Sequence, residues 1–212
     1  MSQSKLPLDG INVVEIGQAL AGPLSGVILA DLGADVIKIE KPEGGDDARL
    51  WGPMATKDAS LMFNATNRSK KSVILDLKSA DGLEKLYGLI KQADICIQNL
   101  RPGVAVKGGF GPADLMAVNP RLIYCVVSAF GEEGPLNQHP GMDPLAQAYG
   151  GVMTLTGRAD DPPTFCAPAI NDTATGMWAV IGALAALEER RQTGKGKVIG
   201  TSLFESAVHW VS

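Results

Sequence analysis

A carboxylate at the start of a long apolar helix is the first candidate for chemistry in this chain. Asn171 and Asp172 stand at the position of an N-cap, and the stretch from Met177 to Leu187 is apolar apart from one glycine. Gly194 is placed to end the helix in the left-handed conformation. A helix this apolar on every side is expected to be buried. Asp172 is therefore either a structural cap or a nucleophile held at a buried helix terminus.

Four basic residues that follow predicted strands are the second candidate. Lys41, Lys78 and Arg101 come just after three successive strands, and Lys107 lies in the next turn. Each of them alone would be an ordinary surface charge. Because ligands bind at the carboxyl ends of the strands in open α/β sheets, we expect these side chains at one rim. Together they could bind a phosphorylated ligand.

Strands and helices alternate along the chain and would position these residues. Strands are predicted at 11–16, 35–40, 72–77, 94–98, 121–128 and 198–203, helices at 24–32, 79–92, 112–118, 143–149, 172–191 and 204–211, and a long loop at 41–69. The strands are nearly continuous in apolar residues, which is typical of strands covered on both faces. The pattern predicts an α/β fold, a Rossmann-like open and mostly parallel sheet with helices on both faces.

Composition and charge narrow the class of protein. The 212 residues are 45% hydrophobic and 20% charged with a net charge of −4, and without a basic cluster neither nucleic acid nor an anionic membrane is an expected partner. The longest apolar run is short of the roughly 20 residues of a membrane span, and residues 1–10 hold no apolar signal core. Three cysteines without C-x-x-C spacing indicate neither disulfides nor a metal site, so a cytoplasmic protein is expected.

Other kinds of site find less support in the sequence. Glu40 stands where a dinucleotide-binding fold has its ribose-binding acid, but the preceding loop lacks the G-x-G-x-x-G pattern. The basic run at 193–197 follows a helix, whereas a P-loop precedes one. No G-x-S-x-G is present, and neither His139 nor His209 has a nucleophile at a telling spacing. Cys166 as a nucleophile would need a base that the sequence does not supply.

Eight ordered blocks, covering essentially all 212 residues, resemble the class III CoA-transferases, also called the CaiB/BaiF or formyl-CoA transferase family. The blocks are L-A-G-P (20–23), A-D-L-G-A-D-V-I-K-I-E (30–40), G-D-D-A-R-L-W-G-P (45–53), N-R-S-K-K-S-V-I-L-D-L-K (67–78), N-L-R-P-G-V (99–104), N-P-R-L-I-Y-C-V-V-S-A-F-G (119–131), P-G-M-D-P-L-A-Q-A (140–148) and D-T-A-T-G-M-W-A-V-I-G-A-L-A-A-L-E-E-R-R-Q-T-G-K-G-K (172–197).

This resemblance implies a CoA-binding large domain over residues 1–212, with Asp172 as the catalytic aspartate. The substrates would be an acyl-CoA and a carboxylic acid, with no tightly bound cofactor. The family's CoA contacts correspond to Leu20, Ala21, Lys41, Leu75, Asp76, Leu77, Lys78, Asn99, Leu100, Arg101, Lys107, His139, Pro140, Gly141 and Met142. Lys41 and Lys107 stand where the formyl-CoA transferases have arginine, which keeps the charge but not the bidentate geometry. The helix N-terminus would favour an ionised Asp172 and burial would oppose it, so its charge state stays open.

Two departures from the family pattern leave alternatives open. Met142 stands where many of these transferases have Tyr and the related α-methylacyl-CoA racemases have the His of a G-H-D motif, so a racemase is the second hypothesis. Family chains are about twice as long and form interlocked homodimers. The resemblance thus implies an N-terminal half, whose partner is a second copy or a complementary C-terminal half. A CoA-binding fragment without activity is the third hypothesis, and the C-terminal helix is expected to expose apolar surface.

Overall fold

Eight strands and eight helices build the protein in the computed structural model, which describes residues 5–212. The strands are β1 (Asn12–Ile16), β2 (Asp35–Glu40), β3 (Met54–Thr56), β4 (Ala59–Ser60), β5 (Lys71–Ile74), β6 (Ile95–Gln98), β7 (Ile123–Ser128) and β8 (Lys197–Ser202). The helices are α1 (Ala21–Asp31), α2 (Leu61–Asn67), α3 (Ala80–Ile90), α4 (Val104–Lys107), α5 (Pro112–Val118), α6 (Asp143–Tyr149), α7 (Ile170–Thr193) and α8 (Leu203–Val211). Residues 1–4, at the start of the segment 1–10 that is predicted to hold no signal core, lie outside the described residues.

Six of the strands form one parallel sheet in the order β5-β2-β1-β6-β7-β8. Successive residues of a strand point to opposite faces, so Val13 packs into a core with α1 and α7, and Val14 into a second core with α3 and α5. The predicted Rossmann-like sheet with helices on both faces is confirmed. Strand order reverses between β1 and β6, and in such sheets the ligand crevice opens at that reversal.

The prediction of a long loop over the whole of 41–69 was wrong. This stretch contains a 3₁₀ turn at Asp47–Leu50, the short antiparallel pair β3–β4, and helix α2. The side chain of Ser60 caps α2 by accepting a hydrogen bond from the Phe63 N–H. These elements are too short to show a hydrophobic period, which explains why the sequence pattern missed them. The predicted third strand also ends early, because β5 stops at Ile74 and residues 75–78 form a loop.

The prediction that helix α7 is buried on every side was wrong. Met177, Trp178 and Ile181 are about half exposed along one face. The apolar surface expected on the C-terminal helix α8 is present, since Trp210 of that helix is about half exposed. Gly194 ends α7 with a φ of 71°, as predicted. In the described part of the chain α7 is long and apolar enough for a membrane span by length and composition, yet half of its most apolar window is buried, and a core helix meets the same criteria.

A buried network of charges lies at the carboxyl ends of β1 and β2. Lys38 Nζ lies 2.8 Å from Glu15 Oε1, 2.9 Å from Asp46 Oδ2 and 2.8 Å from the Gly17 carbonyl oxygen. Lys70 Nζ lies 2.7 Å from the second oxygen of Glu15. Burial lowers the pKa of Lys38, but Glu15 and Asp46 outweigh that effect, so its pKa is raised and it remains charged. Two cations and two carboxylates thus neutralise each other beneath the loop that follows β1.

Candidate active site

Asp172 does not cap α7, because another carboxylate does. The helix begins at Ile170, which makes Asp172 its third residue, and no side-chain cap comes from Ala169. Asp143 Oδ2 accepts hydrogen bonds from the backbone N–H groups of Asn171, at 2.6 Å, and Asp172, at 3.0 Å. The sequence prediction that residues 171–172 form the cap was therefore wrong. Among residues 5–212, no hydrogen bond or ion pair occupies the Asp172 carboxylate.

The Asp172 side chain lines a cavity of about 380 Å³ at the crevice between the two halves of the sheet. Three segments from the sequence analysis meet there: Ala21, residues 99–101 and residues 140–142. The sequence analysis did not anticipate the other residues of the wall, which are Pro102, Val127, Ser128, Ala129, Leu145 and Leu203. Arg101 is the cationic member of the lining. The cavity therefore places a carboxylate and a guanidinium in a mainly apolar wall.

A second cavity, of about 760 Å³, adjoins the first and shares Leu100 with it. Lys41, Lys78 and Lys107 line this second cavity together with residues 75–77. Three of the four predicted basic residues are thus brought together, while Arg101 lies in the neighbouring cavity. Lys41 Nζ also contacts Asp47 Oδ1 at 2.5 Å in an exposed ion pair. The lysines are suited to bind phosphate groups at a wide, solvent-facing mouth.

Two predicted contacts line neither cavity. Leu20 precedes α1, and its carbonyl oxygen accepts a hydrogen bond from the Leu24 N–H at 2.7 Å. His139 is exposed in the loop before residues 140–142. The CoA-binding role of these two residues stays a prediction, as it does for the residues of the two cavities.

The loop after β1 is held against the loop after β6 by one asparagine. Asn99 Oδ1 accepts a hydrogen bond from the Gln18 N–H at 2.9 Å, and Asn99 Nδ2 donates to the Gln18 carbonyl at 2.8 Å. A Cβ at Gly22 would lie 2.9 Å from the Asn99 side chain, so glycine is needed for this close approach. Asp46 Oδ1 accepts from the N–H of Ala19, which has a φ of 64°. The crevice is therefore pre-formed by partly buried polar contacts.

Helix α7 is positioned against this loop by close packing with α1. Ser25 Oγ donates to the Gly176 carbonyl at 3.0 Å, and a Cβ at Gly176 would lie 2.8 Å from the Ala21 carbonyl oxygen. Asp172 lies one helical turn before Gly176, so the same contact brings its side chain to the crevice.

The surroundings of Asp172 favour its neutral form. Burial, and then the negative charge of Asp143, raise the pKa of Asp172 from 3.8 to about 7. Of the two opposing influences named from the sequence, burial acts in the direction of this shift. A carboxyl group with a pKa near 7 can exist in both forms at neutral pH, which is a common property of catalytic acids and bases.

We expect the Asp172 carboxyl group to titrate near pH 7. The measurement is a ¹³C NMR titration of protein labelled at the aspartate carboxyl carbons, with the Asp172 signal assigned by its loss in Asp172→Asn. A midpoint below about 5, close to the ordinary value for aspartate, would show that burial does not control this group.

The structure argues against Glu40 as the ribose-binding acid of a dinucleotide site. Glu40 is buried and its two oxygens accept hydrogen bonds from Arg49, at 2.6 and 2.7 Å. Burial alone would raise the pKa of Glu40, but hydrogen bonds from Arg49, Ser72 and the Asp46 N–H lower it to about 2. A carboxylate used in this way has no free oxygen for a ribose hydroxyl.

Comparisons with known proteins identify the family. A family model described as CoA-transferase family III matches residues 8–212. A succinate–glutarate CoA-transferase of Agrobacterium fabrum is 39% identical over 97% of this chain and 53% of its own length. An acetyl-CoA:oxalate CoA-transferase of Acetobacter aceti is 40% identical over 98% of this chain and 53% of its own. The crystal structure of a CaiB/BaiF family protein from Brucella suis has a TM-score of 0.94 and 41% identity, covering 99% of this chain and 56% of that one. The chain thus spans about half the length of these relatives.

Proposed function

The chain belongs to CoA-transferase family III, and from that premise we propose that the protein transfers CoA from an acyl-CoA to a carboxylic acid, with Asp172 as the nucleophile. The observation that carries this proposal is the position of the Asp172 carboxylate. It lines the cavity at the sheet reversal and has no hydrogen bond or ion pair among the described residues. A carboxylate that is partly buried yet unpaired is available to attack a bound thioester.

The transfer proceeds in four successive acyl-transfer steps. The ionised Asp172 attacks the thioester carbonyl, the C–S bond breaks, and CoA leaves as the thiolate with a mixed anhydride on Asp172. The thiolate attacks the aspartyl carbonyl, releasing the donor acid and forming an aspartyl-CoA thioester. The acceptor carboxylate attacks the carbonyl of that thioester, the C–S bond breaks, and a second mixed anhydride forms on Asp172 as the thiolate leaves again. Finally the thiolate attacks the acceptor carbonyl, which forms the new acyl-CoA and frees Asp172.

The two cavities support separate roles in binding acyl-CoA. The lysines at 41, 78 and 107 would pair with the phosphates in the wider cavity. The thioester would reach past Leu100 into the smaller cavity that Asp172 lines. On this proposal residues 1–212 belong to the CoA-binding large domain, and the enzyme acts in the cytoplasm.

Dicarboxylic acids are the proposed class of acceptor. Succinate, glutarate and oxalate appear in the names of the relatives, and each has a second carboxylate that stays free when the first is esterified to CoA. Arg101 in the Asp172 cavity is suited to pair with that second carboxylate. The site would be completed by a second copy of the chain in an interlocked homodimer, or by a complementary half.

Met142 disfavours the racemase alternative. It lines the Asp172 cavity where a two-base mechanism needs a proton carrier, and a thioether cannot accept or deliver that proton. Exchange of the α-proton of a 2-methylacyl-CoA in deuterated water would reverse this conclusion.

Trapping with hydroxylamine tests the proposed function. Protein mixed with succinyl-CoA and hydroxylamine is expected to form a hydroxamate at Asp172, detectable by peptide mass spectrometry, because hydroxylamine attacks both the anhydride and the aspartyl thioester. Omission of succinyl-CoA is the control. Binding of CoA without any hydroxamate would instead support a CoA-binding module that has no transferase activity.

A further inference from the structure

Helix α6 fastens the start of α7 through two buried side chains that the proposed chemistry does not use. Asp143 is 3% exposed and Gln147 is fully buried. Gln147 Nε2 donates to Asp143 Oδ1 at 2.5 Å and to the Cys166 carbonyl at 3.1 Å, and Gln147 Oε1 accepts from the Cys166 N–H at 2.7 Å. Every hydrogen-bonding atom of this amide group is thus engaged with the segment leading into α7 or with Asp143.

The second oxygen of Asp143 reaches the helix itself. It accepts from the N–H groups of Asn171 and Asp172, which would otherwise be unpaired at the first turn of a helix. An aspartate at the start of a helix commonly folds back to satisfy such groups with its own oxygens. Because Asp143 already does so, the Asp172 carboxylate is left free at the cavity.

We propose that Asp143 is a positioning residue for Asp172. It takes over the cap of α7 so that the nucleophile stays unpaired, and its charge opposes a second charge on Asp172. Gln147 holds Asp143 in the orientation that both effects require. The description of Asp172 as a nucleophile rests on the proposed function, but the contact between the two carboxylates does not.

Helix α6 also connects this pair to the wall of the cavity. Residues 140–142 precede α6 directly, and both they and Leu145 line the Asp172 cavity. A ligand that moves residues 140–142 would therefore act on the same helix that carries Asp143. The other charged residue of the cavity lining is Arg101, which is exposed, and the shift in the pKa of Asp172 comes from burial and Asp143.

Asp143→Asn tests the inference without requiring CoA transfer. The variant keeps an acceptor oxygen for the helix N–H groups but loses the negative charge, so the ¹³C titration midpoint of Asp172 is expected to fall by about one pH unit or more. Asp114→Asn is the matched control, because Asp114 Oδ2 accepts from the Gly111 N–H at the start of α5 and does not line the Asp172 cavity. The control is expected to leave the Asp172 midpoint unchanged.

Gln147→Met provides a second test if the first variant does not fold. Methionine retains the approximate volume but removes the donor to Asp143 and the contacts with Cys166. We expect the rate of hydroxamate formation at saturating succinyl-CoA to fall about tenfold or more, while the CoA dissociation constant stays unchanged. The reason is that the variant changes only the orientation of the Asp172 carboxylate. Rate and affinity falling together, with folding intact, would overturn the positioning role.

The two readouts separate the possible failures. An unchanged Asp172 midpoint in Asp143→Asn overturns the inference whether or not the protein transfers CoA. A missing hydroxamate in the unmodified protein overturns the proposed function, while a lowered midpoint would still establish the coupling between the two carboxylates.

Discussion

Asp172→Asn is expected to lower CoA transfer at least about a thousandfold while CoA binding stays nearly intact. An amide cannot attack a thioester as a carboxylate does, so neither the anhydride nor the aspartyl thioester can form. The cationic residues of the wider cavity are untouched, so the dissociation constant for CoA should change less than about threefold. Steady-state assays with succinyl-CoA and calorimetry with CoA measure the two quantities.

The same substitution is expected to stabilise the protein at high pH. The folded state holds the pKa of Asp172 near 7, whereas the unfolded chain ionises it near 3.8. The free energy of unfolding therefore falls as pH rises through this window, and the full destabilisation is present above about pH 7. Asp172→Asn removes it, so the variant should be more stable by up to about 4 kcal/mol at pH 8 and equally stable below pH 4. Denaturant unfolding at several pH values provides the measurement.

A control aspartate tests whether these effects are specific to Asp172. Asp81 lies in the first turn of α3, is exposed and pairs with Lys85. Asp81→Asn should leave both transfer and the pH dependence of stability unchanged. Retained transfer in Asp172→Asn, or a large loss of CoA binding, would mean that Asp172 is mainly structural.

Lys38→Met is expected to cost about 3–5 kcal/mol in the free energy of unfolding. Lys38 is 1% exposed and neutralises Glu15 and Asp46, both of which are buried. Without it two carboxylates share the single cation of Lys70, and the Gly17 carbonyl loses its donor. Because Asp46 also holds the loop after β1, we expect weaker CoA binding as well. Denaturant unfolding at pH 7 provides the measurement.

Lys71→Met is the matched control for this prediction. Lys71 pairs with Asp35 at 2.7 Å, but both side chains are about half exposed or more. Solvent screens such a pair, so its loss should cost about 1 kcal/mol or less. Equal losses in the two variants would show that burial of the Lys38 network does not determine its contribution.

Elements long enough to show a hydrophobic period were predictable from the sequence, and shorter elements were not. Strands such as β1 and β7 are mostly apolar, and α3 has a regular apolar face, so each pattern is visible locally. Helix α2 has seven residues and is held by Ser60 and by packing near Phe63, neither of which produces a period. The exposed face of α7 was missed for a different reason. Its sequence is apolar all round, and only the neighbouring elements show which side is covered.

For the site, the sequence by itself determined which residues have suitable chemistry. Asp172 at a helix start and the lysines after successive strands follow from residue type, position and the geometry of parallel sheets. Only the tertiary structure decided what those residues do for one another. Asp143 and Gln147 lie far from Asp172 along the chain, and the pKa of a carboxyl group depends on burial and on charges nearby in space. The sequence therefore identified Asp172 as the candidate nucleophile, and the packing of α6 against α7 decided that its carboxylate is unpaired among the described residues and has a raised pKa.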